Sequence, residues 1–350
     1  MPPRFLKASL RDTHPYVPGE QPPDGEDWVK LNTNESPLPP SPKVIEAINR
    51  AATDALRLYP SASAAPARQA IARRFDVTPE EVALGNGADE VIDMCFRAFA
   101  GAGARVAFCR PTYPVFEPLC RIHDAVPAVH QLDESFRWDD RFAYDPAPLK
   151  FVVNPNSPTG TWADPVEVEK VVEVSRGVVA LDEAYVDFAP FDLLALQRRY
   201  KNLLVMRTFS KSYALAGMRI GFAIGSPDLI ASLDAVKDSY NLDRLAIAAA
   251  VAAIEDEEHH RKIVDFVVAE REWLAGRLEE LGFEVSPSRA NFVLVKPPRI
   301  SGAAVADALR EQRILVRRYD LEPIAGWLRI TIGTRAQHER LLAALKEILT

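Results

Sequence analysis

Mostly apolar runs recur along the chain between residues 82 and 224, at 105–109, 151–153, 178–181, 203–207 and 220–224. Their apolar side chains do not alternate with polar ones, which predicts strands buried on both faces. Stretches such as 90–100 and 165–174, lying between them, predict helices. Strands of this kind separated by helices predict a parallel or mixed sheet covered on both sides, with its ligand site beyond the carboxyl ends of the strands. After Pro227 the pattern is helical to about Leu281. Strands at 291–296 and 328–332 then flank a helix at 303–312, and a last helix begins near Ala336, so a second, smaller α/β domain is expected. Ser41 and Pro42 suit an N-cap and a first helical position, ahead of an apolar face formed by Val44, Ile45, Ile48, Ala52 and Leu56. The first thirty residues are rich in proline and polar groups and read as an arm. The expected division is an arm over 1–32, a large domain over 33–242 and a small domain over 243–350.

Composition narrows the classes. The chain has 350 residues and a formal charge of -7, enough for a large core and unfavourable for nucleic acid as a partner. No run has the apolar length of a membrane span, and the first residues lack the apolar core of a signal peptide. Cys95, Cys109 and Cys120 lie in apolar surroundings without metal-ligand spacing, so reduced buried thiols in a cytoplasmic protein are expected. His259 and His260 sit in a charged helical run and read as solvated surface rather than a metal site.

Candidate chemistry clusters after the strands. Lys211 follows the run 203–207, flanked by Ser210 and Ser212, with Arg219 eight residues on. A lysine there can form a Schiff base with an aldehyde, and Ser210 and Arg219 are residue types that hold a phosphate. The same segment also suits an exposed loop lysine. Gly85-Asn86-Gly87-Ala88-Asp89-Glu90 opens a helix whose first amides can bind phosphate, although its glycine spacing is not that of a dinucleotide site. Asn154 begins a Pro- and Gly-rich turn and could donate to a phenolate oxygen. Asp182, which could equally cap the next segment, could pair with a protonated pyridine nitrogen and keep the ring an electron sink. Tyr185 could bind the ring's oxygen, and Tyr113 could border a flat cofactor. All of these sit at the carboxyl ends of strands in one alternating segment.

Together these motifs resemble the fold-type I pyridoxal phosphate enzymes in their class I/II aminotransferase branch, in order, in spacing and over nearly the whole length. The histidinol-phosphate group is the most similar, through Tyr16-Val17-Pro18-Gly19, Leu31-Asn32-Thr33-Asn34-Glu35-Ser36-Pro37, the segment from Ser210 to Gly217, and Arg317 with Leu328-Arg329-Ile330-Thr331. The resemblance implies a large domain with a mostly parallel seven-stranded sheet flanked by helices, plus a smaller α/β C-terminal domain. It implies pyridoxal 5'-phosphate as cofactor, Lys211 as Schiff-base lysine and proton shuttle, and Asp182 on the pyridine nitrogen. Asn154 and Tyr185 would bind the phenolate, and Tyr113 would cover the ring. Ala88, Asp89, Glu90, Ser210 and Arg219 would surround the phosphate. Tyr16, Asn154, Arg317 and Arg329 would contact substrate. Tyr59 would reach the cofactor phosphate of a partner subunit, which requires a homodimer. Two departures stand out: Ser61-Ala62-Ser63-Ala64-Ala65-Pro66 replaces the usual polar turn, and Ser157, which need not touch the chemistry, replaces an asparagine.

The implied reaction is transamination between a small amine and 2-oxoglutarate. An aromatic amino-acid aminotransferase and a threonine-phosphate decarboxylase could use a similar frame, and Arg317-Arg318 also suits a solvated basic pair. A non-catalytic regulator on this frame would carry an additional DNA-binding region, whereas the aminotransferase-like arm begins at about residue 10, so none is expected.

Overall fold

The computed structural model describes residues 5–7, 10, 18–23, 26–319 and 322–350. β1 (Val29–Leu31), α1 (Pro42–Ala51) and α2 (Ala65–Phe75) precede a seven-stranded sheet. That sheet comprises β2 (Val82–Asn86), β3 (Arg105–Arg110), β4 (Val126–Gln131), β5 (Leu149–Val153), β6 (Val178–Asp182), β7 (Leu203–Thr208) and β8 (Ile220–Gly225), in the order β2-β8-β7-β6-β5-β3-β4. β4, β3, β5, β6 and β7 pair in parallel, while β8 is antiparallel to both β7 and β2. The reversal matters for the site. β8 starts at the edge where its neighbours end, so a residue just before it joins residues just after them.

Every residue of β5, β7 and β8 is buried, which explains why they are mostly apolar, Lys150 and Arg207-Thr208 excepted. The edge strand β4 carries Pro127 and exposed positions and has no such run. α3 (Ala88–Phe99), α4 (Phe116–Ile122), α5 (Asp140–Ala143), α6 (Pro165–Val174) and α7 (Pro227–Val236) pack around the sheet. Phe96 and Phe116 stack on Phe151 of β5, with ring centroids 5.5 and 4.5 Å apart. α6 starts as its sequence dictates: Asp164 accepts from the Val166 amide and Pro165 fills the first position.

α8 (Arg244–Glu255) packs on α1 and α2 and shares their core with β2 and β8. Ser41 caps α1 as expected, but the helix ends at Ala51 and only Val44 is fully buried. Ile45 and Leu56 are half exposed, Leu56 lying in a separate helical turn, 54–57.

The second sheet has the order β1-β11-β12-β10-β9, formed with β9 (Glu284–Val285), β10 (Phe292–Lys296), β11 (Ile314–Arg318) and β12 (Leu328–Thr331). α9 (Glu257–Glu280), α10 (Gly302–Glu311) and α11 (Arg335–Leu349) cover it. β1 pairs in parallel with β11, so the N-terminal segment joins the C-terminal body. The chain passes from the α8 core to the α9 core at Asp256.

Candidate active site

The carboxyl ends of β2, β6 and β7 open on one cleft, lined by Ala88, Asp89, Tyr113, Asp182, Tyr185, Ser210, Lys211 and Arg219. Eight residues read from the sequence as candidates therefore come together.

At one end lies the start of α3. Its N-cap is Gly87, which has no side chain to cap the helix, so the first-turn amides are open to an anion. Gly87 has φ +82, and a Cβ there would come within 2.6 Å of the Arg219 guanidinium. At Gly221 a Cβ would lie 2.4 Å from the Ala88 nitrogen. Both glycines are thus required by the close approach of Arg219 and β8 to the helix start. Arg219 stands 3.4 Å from Ser210 Oγ and donates to Asp89 Oδ2 at 3.1 Å. Asp89 Oδ1 also accepts from the Tyr113 hydroxyl at 2.9 Å, so one carboxylate holds two cleft residues. The Glu90 side chain turns away from the cleft and accepts from Asn86 N and Asn241 Nδ2.

Asp182, the last residue of β6, is 5 % exposed. Burial, reinforced by Asp89, pushes its carboxyl up to about 6, against the opposing pull of Ala184 N–H and Lys211. Asn154 follows β5, its N–H donating to the Asp182 carbonyl at 2.9 Å. The Asn154 Oδ1 accepts from Ala163 N, while its Nδ2 is buried without a hydrogen-bond partner. Asn154 lines a second cavity, of about 480 Å³, and is not among the residues lining the cleft.

Lys211 Nζ donates to the Asn34 carbonyl at 3.3 Å and stands 5.6 Å from the centre of the Tyr185 ring. Ser212 donates to Asp187 at 2.5 Å, and Asp187 also faces His260 of α9 at 3.2 Å, which fixes the lysine turn from behind. Burial would raise the Tyr185 phenol. Lys211 and Arg329 charges and hydrogen bonds from Asn34 and Ser157 outweigh it, so the net shift is downward.

The small sheet approaches the cleft through Arg329, beside the cleft residue Ser157. Arg329 of β12 donates to the Asn32 carbonyl at 3.1 Å and stands 3.4 Å from Ser157 Oγ. Arg317 of β11 lies opposite it in register. The resemblance leaves Ser157 without a necessary part in the chemistry. It nevertheless lines the cleft and hydrogen-bonds with Tyr185. Asn34 was quoted in a motif but given no role, yet it touches both Tyr185 and Lys211. Its only sequence signal is an asparagine just past a three-residue strand.

Among the described residues, Tyr59 stands away from the cleft within this chain. Tyr59 is 77 % exposed and stacks on Tyr240 at 4.5 Å. Tyr16 lies outside the described residues. The altered turn after Tyr59 is closed by Ala64 with φ 50 and by Ser61, which accepts from Ala65 N.

A buried acid, an amine and an anion-binding helix start within one cleft can bind a phosphorylated carbonyl compound and move protons beside it. Similarity to known proteins agrees with that capability. The family model for aminotransferases of class I and II matches residues 26–345. A histidinol-phosphate aminotransferase 2 of Gluconobacter oxydans is 47% identical over 99% of this chain and 99% of its own. A histidinol-phosphate aminotransferase of Syntrophotalea carbinolica is 42% identical over 98% and 99%. The crystal structure of histidinol-phosphate aminotransferase from Sinorhizobium meliloti in complex with pyridoxal-5'-phosphate superposes with a TM-score of 0.86 at 27% identity, covering 92% of this chain and 90% of that one. The chain belongs to the class I and II aminotransferases, a pyridoxal phosphate-dependent family whose histidinol-phosphate members are among its relatives.

Proposed function

We propose that this aminotransferase moves the amino group of histidinol phosphate onto 2-oxoglutarate in histidine biosynthesis, with pyridoxal 5'-phosphate held between α3, β6 and β7. The observation that carries the substrate reading is the pair Arg317 and Arg329, opposite each other in register, with Arg329 beside Ser157 at the cleft wall. Two guanidinium groups on one sheet face suit a dianionic phosphate in one half of the reaction and a dicarboxylate in the other. The names of the relatives point the same way.

The cleft's own chemistry fits the cofactor. Asp182 is buried where only a cation would make its charged form favourable. Asn154 Nδ2 is buried and lacks an acceptor. The open amides of α3 with Ser210 and Arg219 form an anion site. In this reading Ala88, Asp89 and Glu90 give backbone groups to the phosphate, Asn154 and Tyr185 take the ring oxygen, and Tyr113 covers the ring.

Once bound, pyridoxal phosphate supplies an aldehyde that takes the amine and a ring that accepts electrons. The chain does the rest. Asp182, faced by a cation, stays ionised and keeps that cation in place. Lys211 Nζ takes the proton from the carbon bearing the amine and later returns it. Arg329 and Arg317 orient the anionic end of each substrate in turn.

Lys211→Ala is expected to abolish turnover and the visible band of the lysine-bound cofactor; survival of both would refute the role. Adding histidinol phosphate, phenylalanine and threonine phosphate separately to loaded enzyme, and following that band, tests the substrate. Rapid conversion by phenylalanine alone would overturn the reading, and CO₂ release from threonine phosphate would make the protein a lyase.

The same reading makes the protein a homodimer in which Tyr59 reaches the partner subunit's cofactor phosphate. Exposed Leu56, Leu58, Tyr59 and Tyr240 support it, as an apolar surface with no cover in the monomer. Three buried, unpaired cysteines support a cytoplasmic location.

A further inference from the structure

Asn34 is 1 % exposed and holds a left-handed backbone, φ 55, just past β1. It is anchored to the small sheet on two sides. Its N–H donates to Thr331 Oγ1 at 2.9 Å, the Thr331 hydroxyl stands 3.2 Å from its Oδ1, and Asn291 Nδ2 donates to its carbonyl at 3.0 Å. Towards the cleft it makes two more contacts. Its carbonyl accepts from Lys211 Nζ at 3.3 Å, and its Nδ2 donates to the Tyr185 hydroxyl at 2.9 Å. With Oδ1 committed to Thr331, the carboxamide offers Tyr185 only N–H, so the phenol oxygen is held as an acceptor.

We propose that Asn34 is a positioning residue of the transfer reaction: its carbonyl holds the free Lys211 amine, and its carboxamide sets the orientation and protonation of Tyr185. This rests on the aminotransferase reading of the cleft and assigns a part to a residue outside it. When Lys211 is free, its amine needs a fixed acceptor nearby to return along the same line, and a main-chain carbonyl tied to Asn291 and Thr331 provides one without adding charge. The carboxamide acts on the other partner. It favours the Tyr185 form that accepts hydrogen bonds, in the same direction as the lowered phenol. The left-handed backbone explains the residue type, since asparagine tolerates it better than other side chains of its size.

Two variants separate these contributions. Asn34→Gly keeps the backbone and deletes the carboxamide, whereas Asn34→Asp keeps the shape but puts a carboxylate against Tyr185. In the cofactor-free full-length protein, ultraviolet titration of Tyr185, taken as the difference from Tyr185→Phe, is expected to move up by about one pH unit or more in Asn34→Asp. In loaded enzyme both variants are expected to lose about tenfold in kcat, with KM for the amino donor changed less than about threefold. In a Tyr185→Phe background, Asn34→Gly is expected to cost less than about threefold, because its partner is gone. An unmoved Tyr185 titration in Asn34→Asp, or equal losses from Asn34→Gly with and without Tyr185, would overturn the proposal. Neither result depends on the Lys211 assignment, which Lys211→Ala tests separately.

Discussion

Asp182 sits at the end of β6 with its carboxyl pushed up to about 6, from 3.8, chiefly by burial. Its folded pKa is above its unfolded one, so the folded chain holds the proton more tightly. The cofactor-free protein therefore loses stability as pH rises from about 4 to about 6, and above that the ionised group costs about 3 kcal/mol. Asp182→Asn keeps an oxygen for the Ala184 amide and removes the charge. Cofactor-free Asp182→Asn is expected to melt several degrees above the wild type at pH 8, with a smaller gap at pH 5, and to bind pyridoxal phosphate more weakly. An equal gap at both pH values in thermal melts would contradict the assignment. At this scale the sequence exposes Asp182, Lys211, Ser210 and Asn154 because each ends or directly follows a strand whose apolar run is plain. Asn34 and Ser157 have no such marker. Asn34 acquires its meaning from partners 151, 177 and 297 positions away, a separation that no local pattern encodes.

The corner between β12 and α11 holds that separation together. Arg329 ties to Asn32 and Thr331 to Asn34, and two residues later the Gly333 amide donates to His338 Nε2 at 2.8 Å. With Nε2 accepting, the His338 ring proton lies on Nδ1, facing Glu270 of α9 at 3.1 Å. Burial keeps the ring's pKa low, which suits the neutral tautomer. His338→Phe fills the same space but strands the Gly333 amide, while both Glu270 oxygens keep Arg335. It is expected to lose about 2–4 kcal/mol in chemical denaturation and to raise KM for the amino donor. Thr334→Ala, which removes the capping box of α11, is expected to cost about 1 kcal/mol. If His338→Phe proves no worse than the cap variant, the corner does not depend on the histidine. β5 to β8 were readable because burial on both faces leaves them mostly apolar, with Lys150, Asp182 and Arg207-Thr208 as the polar exceptions. β1 and α2 were not. β1 has three residues and exists by pairing with β11, and the buried face of α2 is largely alanine, which leaves no apolar stripe to see.

The two bodies meet at the cleft, but the exposed surface around Tyr59 makes the complete unit larger than one chain in the proposed reading. Tyr59, Tyr240, Leu56 and Leu58 would be poorly placed facing water, and in the proposed dimer a second copy would cover them and take Tyr59 at its own site. A closed two-fold pair is the simplest assembly that treats both chains alike. This arrangement has a consequence that a cis contribution lacks. A dimer of one Lys211→Ala chain and one Tyr59→Ala chain has one site carrying both defects. Its other site takes Lys211 from the Tyr59→Ala chain and Tyr59 from the Lys211→Ala chain, so it is intact. After the two inactive or weakened variants are unfolded together and refolded as an equal mixture, half the dimers are mixed. At limiting pyridoxal phosphate, activity is then expected to recover towards about one quarter of the wild-type value. A chain carrying both substitutions, mixed with wild type, gives the same fraction of mixed dimers but places the defects in separate sites, one lacking Lys211 and one lacking Tyr59. It should therefore add nothing beyond the wild-type dimers present. Recovery no greater than the mean of the two parents would mean that Tyr59 serves its own subunit or none, and the apolar surface would then need a different occupant.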